Sequence, residues 1–238
     1  MGGPARLLVA VGVLGVVGFG ADRLAAHAAA DRIATTVQSD AHLSHRPGVT
    51  VGGFPFLVQV VKRRYDHIEV TVNDLFESGQ RQSTVLRLEF AGVHIAATDV
   101  LNGGVHHIAV DKVTGVAAIP FADLQTAAHV VGLSQLSAVR GSTNEVRFTE
   151  AISVAGTKVD AQITARVTVA NGSVVVTARD VVAGGTPLPA AITSSVLSRA
   201  AFSVKLPGLP AGVQVSGVTV TPTDVLVSVS ATRLVLTR

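Results

Sequence analysis

The 238-residue sequence contains no cysteine and no tryptophan, and it has a single tyrosine. The absence of cysteine excludes disulfide bonds, thiolate metal sites and a cysteine nucleophile, without fixing the cellular compartment. The scarcity of aromatic residues removes the platforms on which proteins stack nucleic acid bases. Charged residues make up 15% of the chain, against a usual value of about 25%, and 48% of its residues are hydrophobic. This composition predicts a folded chain with a sizeable core.

Positive charge is spread thinly along the chain. The 19 lysines and arginines exceed the 16 aspartates and glutamates by three, and their one notable cluster is Lys62, Arg63 and Arg64. A nucleic acid partner usually requires a broad basic stripe, so we expect none here.

Common catalytic and metal-binding motifs are missing as well. The sequence has no G-x-S-x-G, no H-E-x-x-H, no P-loop and no G-x-G-x-x-G. Asp40, His42 and His45 lie close together, but their position favours a solvated turn over a metal site. We therefore expect no metal, no cofactor and no catalytic residues. An enzyme acting on a glycolipid is the least favoured alternative, because no acid and base pair is apparent.

The N-terminus has the pattern of an export signal. Residues 7–21, LLVAVGVLGVVGFGA, are uncharged and almost wholly apolar; Arg6 precedes them and Asp22-Arg23 follows. Fifteen residues are few for a membrane span, which needs about 20, but they suit the apolar region of a signal peptide. The rest of the chain is therefore expected in the periplasm or cell envelope.

Two outcomes for this N-terminal segment stay open. The stretch AAHAAAD (25–31) offers A-x-A-like cleavage sites around Ala28 or Ala30. The same residues also continue a helical pattern, in which an apolar residue recurs at Leu24, Ala28, Ile33 and Val37. We accordingly interpret residues 1–30 as a signal peptide or signal anchor and residues 31–47 as a helical stalk. If uncleaved, the segment attaches the protein to the plasma membrane.

Residues 48–238 read as one β domain with short helical interruptions. Strict alternation of apolar and polar residues marks strands at 67–75, 85–90 and 158–169, and the last of these is unusually long. Asn171-Gly172 then predicts a type I′ hairpin turn. Proline precedes or begins three predicted helices, at 54–64, 120–131 and 187–202. The fold class is mainly β with a few helices (α+β), built on a long curved antiparallel sheet.

Two stretches carry a family resemblance. GFPFLVQVVKRRYDHIEVTVNDL (53–75) and LPGLPAGVQVSGVTVTPTDVLVSVSATRLVL (206–236) resemble the two signatures of the actinobacterial LmeA-like (lipomannan elongation factor) secreted lipid-binding family. The likeness spans essentially the whole chain. It departs from the family pattern at Arg63 or Arg64, where relatives often have glycine, so a family-wide role for the basic cluster is in doubt.

The resemblance implies a function and a fold. It implies a non-catalytic cell-envelope protein that binds phospholipid or phosphoinositide and supports lipomannan and lipoarabinomannan maturation. Its fold would be similar to tubular lipid-binding proteins, in which a long curved sheet wraps a helix beside an apolar groove. Small residues at Ala161 and Ala165 would leave room there for an acyl chain. The alternative is a structural or scaffolding envelope protein that assists a membrane glycosyltransferase. The expected partners are thus a phospholipid or glycolipid ligand, the membrane surface and a glycosyltransferase of the envelope.

The candidate lipid-binding residues lie in the first signature. Five are apolar and would form the body of a short helix at the groove or membrane surface: Phe54, Phe56, Leu57, Val60 and Val61. Three are cations that would meet a lipid phosphate or an anionic leaflet: Lys62, Arg63 and Arg64. The alternative reading makes Phe54 and Phe56 core residues, with cations that only favour the helix end and water.

Overall fold

The structure is a computed structural model, and it describes residues 3–73, 84–95, 107–124, 134–139, 142–154, 157–199, 202–204, 206 and 209–237. Its helices are α1 (Gly3–Asp40), α2 (Phe56–Lys62) and α3 (Ala190–Arg199), and residues 121–124 form a further helical turn. The strands in these described ranges are β1 (Gly48–Gly52), β2 (Arg64–Asn73), β3 (Val85–His94), β4 (His107–Pro120), β5 (Ser134–Ala138), β6 (Glu145–Val154), β7 (Thr157–Ala170), β8 (Ser173–Ala183), β9 (Thr186–Pro187), β10 (Phe202–Val204), β11 (Gln214–Val220) and β12 (Asp224–Thr237).

The strands pair in two sheets. One sheet has the order β1-β2-β3-β4-β12-β11, and the other has the order β10-β8-β7-β6-β5, with β9 added beside β8. The registered pairs are antiparallel, as in β1 with β2 and β11 with β12. The predicted class, mainly β with a few helices and long antiparallel strands, is confirmed.

The hairpin of β7 and β8 follows the predicted alternation. Strand β7 has 14 residues, and Asn171 and Gly172 join it to β8 with φ angles of 50° and 70°. Both angles are positive, as a type I′ turn requires. Alternate side chains along β7 reach water. The side chains between them face inward and are buried: Ala161, Ile163, Ala165 and Val167. One face of this sheet therefore forms core and the other is solvated.

The predicted helices are present where the structure describes them. Helix α2 falls within 54–64 and α3 falls within 187–202. The third predicted helix, 120–131, is described only as far as residue 124, where it is helical; residues 125–131 lie outside the described ranges. Prolines stand before each helix because a ring without an N–H is tolerated at a helix start.

The chain divides into two compact units. The first comprises Met1–Val72, Leu88–Val113 and Ala231–Arg238, and the second comprises Asn73–Arg87 and Thr114–Ser230. Within the first unit, helix α1 contacts β1 and α2. Within the second, β11 contacts β7 and β8, and α3 contacts β8. The assignment of residues 1–30, 31–47 and 48–238 to signal, stalk and lipid-binding domain stays a prediction.

The apolar spacing at Leu24, Ala28, Ile33 and Val37 indicates a helix, and α1 is helical at all four positions. Leu24 is 72% exposed and Ala28 is also exposed. The buried positions recur every three or four residues on another side: Asp22, Ala26, Ala29, Ala30 and Ala34. Alanines allow a helix to approach a strand closely, so this small-residue face packs against β1. In the described part of the chain, no helix meets the length and hydropathy of a membrane span.

The alternation in β7 generates a stability prediction. Ile163 is fully buried between its register partners Phe148 and Val181, whereas the preceding residue, Gln162, is exposed. We expect Ile163→Ala to lower the free energy of unfolding by about 2–5 kcal/mol, because it removes buried methyl groups and leaves a cavity. Gln162→Ala should change it by less than about 0.5 kcal/mol. Urea unfolding followed by circular dichroism measures both, and equal effects would contradict this burial pattern.

Candidate functional site

Helix α2 occupies the connection between the paired strands β1 and β2, whose last register pair is Gly52 with His67. The buried Gln59 side chain joins the two ends of this connection. Its Nε2 donates to the Gly52 carbonyl at 3.2 Å, and its Oε1 accepts from the Asp66 amide at 2.8 Å. Gly53 has a φ of 89°, and a Cβ there would lie 2.5 Å from Gln59 Nε2. The glycine therefore lets the loop close over Gln59.

The two phenylalanines of the G-F-P-F stretch point in opposite directions. Pro55 is the N-cap of α2, and the Phe54–Pro55 peptide is cis. Phe56 is buried, with its ring centroid 6.0 Å from that of Tyr65, while Phe54 is 61% exposed. One phenylalanine thus anchors the helix and the other remains at the surface. The Tyr65 hydroxyl is also buried and has no hydrogen-bond partner among the described residues; burial raises the pKa of Tyr65.

The start of α2 is capped by a residue from α1. Proline has no side-chain acceptor, and the local chain supplies no side-chain cap at this end. Asp22 takes that role: its Oδ1 accepts a hydrogen bond from the Leu57 amide at 2.9 Å. Arg23 Nη2 donates to Asp22 Oδ2 at 2.6 Å and to the Gly53 carbonyl at 2.9 Å. These bonds fix α1 to both the loop and the first turn of α2.

The environment of Asp22 favours its ionised form. Burial raises the pKa of this carboxyl, but hydrogen bonds from the Leu57 amide, Arg23 and the Phe56 amide, with the Arg23 charge, outweigh burial. The pKa of Asp22 consequently lies below its ordinary value of 3.8. An anion at a helix N-terminus also complements the partial positive charge of the unpaired amides there.

An apolar surface surrounds this junction. Phe19 lies 5.5 Å from Phe54 between ring centroids, and the Arg23 guanidinium lies 5.5 Å from the Phe54 centroid. On α2, Val61 is 82% exposed, and Leu57 and Val58 are exposed too. We use the name α1–α2 surface for the exposed apolar side chains at this junction: Phe19, Phe54, Leu57, Val58 and Val61. Contiguous exposed apolar side chains mark interaction sites, whereas isolated ones are normal on any protein surface.

Cations follow directly after the apolar residues of α2. Lys62, Arg63 and Arg64 are all exposed. Arg64 Nη2 pairs with Asp111 at 3.1 Å, and this exposed pair contributes only about 0–1 kcal/mol. The side chains of Lys62 and Arg63 form no ion pair with any residue that the structure describes. Two of the three cations are therefore available to an external anion.

Arg63 has an unusual backbone conformation. It is the C-cap of α2 with φ 56° and ψ 28°, in the left-handed region, and its amide donates to the Val60 carbonyl at 3.1 Å. Glycine adopts this conformation at the lowest cost, whereas other residues are strained by about 1–2 kcal/mol.

The eight predicted lipid-binding residues lie in one segment but do not share one side. Phe56 is buried and Val60 is half-buried. The remaining six are exposed: Phe54, Leu57, Val61, Lys62, Arg63 and Arg64. No group of metal-ligating side chains occurs within the described ranges. In unit two, Ala161 and Ala165 are buried, and the room expected beside them for an acyl chain stays a prediction.

Sequence reasoning missed the residues that position α2. Asp22 and Arg23 were interpreted only as the end of the apolar segment, and Gln59 drew no attention. The one available signal was an acidic residue directly after a long apolar run, which is common at the end of any signal segment. The contact between Asp22 and Leu57 spans 35 residues, so local patterns do not reveal it.

Comparison with known proteins identifies one family. A family model described as LmeA-like phospholipid-binding matches residues 20–230, which is most of the chain. The matched region begins inside α1, two residues before Asp22, and includes all of α2. No curated protein and no solved structure matches the chain.

The Asp22 cap generates a pH prediction. Because the pKa of Asp22 is lower in the folded chain, its ionised form stabilises the α1–α2 contact at pH values above the ordinary pKa of 3.8. This stabilisation should be lost as the pH falls through the lowered folded-state pKa. Hydrogen exchange of the Leu57 amide, corrected for its intrinsic rate, should therefore accelerate below pH 3.8.

Two substitutions sharpen this test. Asp22→Asn should accelerate Leu57 exchange at neutral pH and remove its acid dependence, because the amide carries no charge for Arg23. Asp31→Asn on the same helix is the matched control, since Asp31 is exposed and contacts Arg46 instead. Equal exchange in both variants would show that Asp22 does not hold α2.

The conformation of Arg63 generates a second prediction. We expect Arg63→Gly to raise the free energy of unfolding by about 0.5–1 kcal/mol, because relief of left-handed strain exceeds the entropy that glycine adds to the unfolded chain. Arg64→Gly removes the same charge at the start of β2 and should lower stability by about 0.5–1 kcal/mol. Chemical denaturation of both variants measures the contrast, and a loss of stability in Arg63→Gly would contradict it.

Proposed function

Since the chain belongs to the LmeA-like phospholipid-binding family, we propose that it is a non-catalytic phospholipid-binding protein of the cell envelope. The family match carries this proposal, because it covers most of the chain and its description names the ligand class. The family is described by binding and not by a reaction, which supports a non-catalytic role. The exposed apolar side chains could contact an acyl chain, and the unpaired cations beside them could bind a phosphate.

The contacts of α1 support attachment to the plasma membrane through an uncleaved N-terminus. Cleavage after Ala28 or Ala30 would remove Asp22 and Arg23, and with them the cap of α2. It would also remove Ala26, which is buried in the packed face of α1. The family match begins at residue 20, so it includes Asp22 and Arg23, which also supports an uncleaved N-terminus. In this proposal residues 1–30 are a signal anchor, and the remainder of the chain faces the periplasm.

The finer assignment follows from the family resemblance. We take phosphoinositide or a mannosylated phosphoinositide as the ligand and lipomannan and lipoarabinomannan maturation as the process that it serves. Lys62 and Arg63 support an anionic headgroup, because each cation contributes about 1 kcal/mol near such a surface. A scaffold that assists an envelope glycosyltransferase is the competing role, and it requires no bound lipid.

One experiment tests the lipid and the anchor together. The whole chain is expressed in a bacterial host of known phospholipid composition, extracted from its membranes in mild detergent, and weighed under native and denaturing conditions. A truncation at residue 31 is unsuitable because it removes Asp22. We expect a stoichiometric phospholipid in the native spectrum, displaced by added phosphatidylinositol. The denatured mass should retain residues 1–30.

Contrary results would separate the two parts of the proposal. A protein that carries no lipid and ignores added phosphatidylinositol and mannosylated lipids would overturn lipid binding and favour the scaffold. A denatured mass that begins after Ala28 or Ala30 would overturn the anchor, whatever the native spectrum contains.

A further inference from the structure

We propose that the α1–α2 surface docks on the face of an anionic phospholipid bilayer, so that α2 lies on the membrane to which the N-terminal segment attaches. The inference rests on the proposed function for the nature of the partner. It adds a separate activity, which is contact with an intact bilayer surface in addition to the binding of a single lipid molecule.

The first argument is the apolar face of α2. Phe56 and Gln59 point into the first unit, and Leu57, Val58 and Val61 point away from it and are exposed. A seven-residue helix is too short to hold its shape alone. Asp22 and the hydrogen bonds of Gln59 hold it instead, so the apolar side chains are ordered before any partner binds. Such preorganisation lowers the entropy that binding costs.

The second argument is charge complementarity. Lys62 and Arg63 end the apolar helix, and neither is neutralised by a described residue. Asp22 is matched by Arg23, so the exposed carboxylate of Asp66 alone opposes the two cations in this segment. Apolar side chains bordered by cations fit the acyl-phosphate boundary of an anionic leaflet.

The third argument is continuity with the N-terminal segment. Phe19 belongs to the apolar run at 7–21, and its ring contacts that of Phe54. The surface therefore begins where the apolar run ends. A protein partner or a second copy of the chain would give no reason for this junction, whereas a bilayer contacted by both parts does.

The fourth argument concerns Arg63. Glycine would adopt the left-handed C-cap at lower cost, yet this chain has arginine there. Strain kept at an exposed position indicates a use for the side chain. An arginine that contacts lipid phosphates supplies that use, because its guanidinium donates several hydrogen bonds to an anion.

The test exploits the absence of tryptophan. Val61→Trp places a single fluorophore on the α1–α2 surface of the whole chain, and Val235→Trp places one at an exposed valine of β12. Each protein is reconstituted in phosphatidylcholine vesicles with or without phosphatidylglycerol. When phosphatidylglycerol is present, we expect the tryptophan emission of V61W to shift to shorter wavelength and to be quenched by brominated acyl chains. V235W should show neither change.

A charge-matched pair of variants tests the cations. In the V61W background, Lys62→Gln with Arg63→Gln should lower the ratio of docked to undocked protein about 30-fold, from about 1 kcal/mol per charge. Lys158→Gln with Arg179→Gln removes the same charge from exposed positions on β7 and β8 and should leave the ratio unchanged.

The outcomes distinguish docking from lipid carriage. If V61W behaves like V235W in every vesicle, the docking proposal falls and the surface faces a protein or a second copy. The anionic requirement falls if V61W docks equally with and without phosphatidylglycerol and the Lys62/Arg63 variant docks as well as the Lys158/Arg179 variant. Docking by a protein that holds no co-purified phospholipid and ignores added lipids leaves this inference standing and overturns the binding of a single lipid molecule. A bound phospholipid without docking does the reverse.

Discussion

A single carboxylate holds the candidate site together. Asp22 accepts from the Leu57 amide and pairs with Arg23, whose guanidinium also reaches the Gly53 carbonyl. The short helix α2 has no cap of its own and too few residues to persist alone, so its position follows from this contact with α1. The exposure of the apolar side chains, the orientation of the cations and the junction with the apolar N-terminal run all depend on it.

The sequence predicted the sheet well because alternation is a local signal. Val159 to Val169 alternate with polar residues, and the strand, its burial and the Asn171-Gly172 turn all follow from that pattern and from the steric demands of positive φ. Helix α2 was predicted for a similar reason, since Pro55 marks its start. Each of these features needs information from only a few neighbouring residues.

The parts that escaped prediction depend on contacts between distant residues. Apolar spacing indicated that α1 is a helix but not which of its faces packs, and the buried apolar positions are alanines whose contact with β1 local spacing does not reveal. Phe54 and Phe56 are identical in type and two positions apart, yet only Phe56 is buried. Apolar character alone does not separate an anchor from an exposed contact residue, and a family resemblance inherits the same ambiguity.

The cap of α2 also has a consequence for the order of biosynthesis. Asp22 precedes Leu57 by 35 residues, so the ribosome adds the acceptor well before the amide that it caps. A seven-residue segment gains a stable helical form only when that acceptor is already in place beside it. The exposed apolar side chains of α2 are therefore ordered only after helix α1 has packed beside them. Until then this segment is an unstructured loop, and it offers no preformed apolar surface to other proteins.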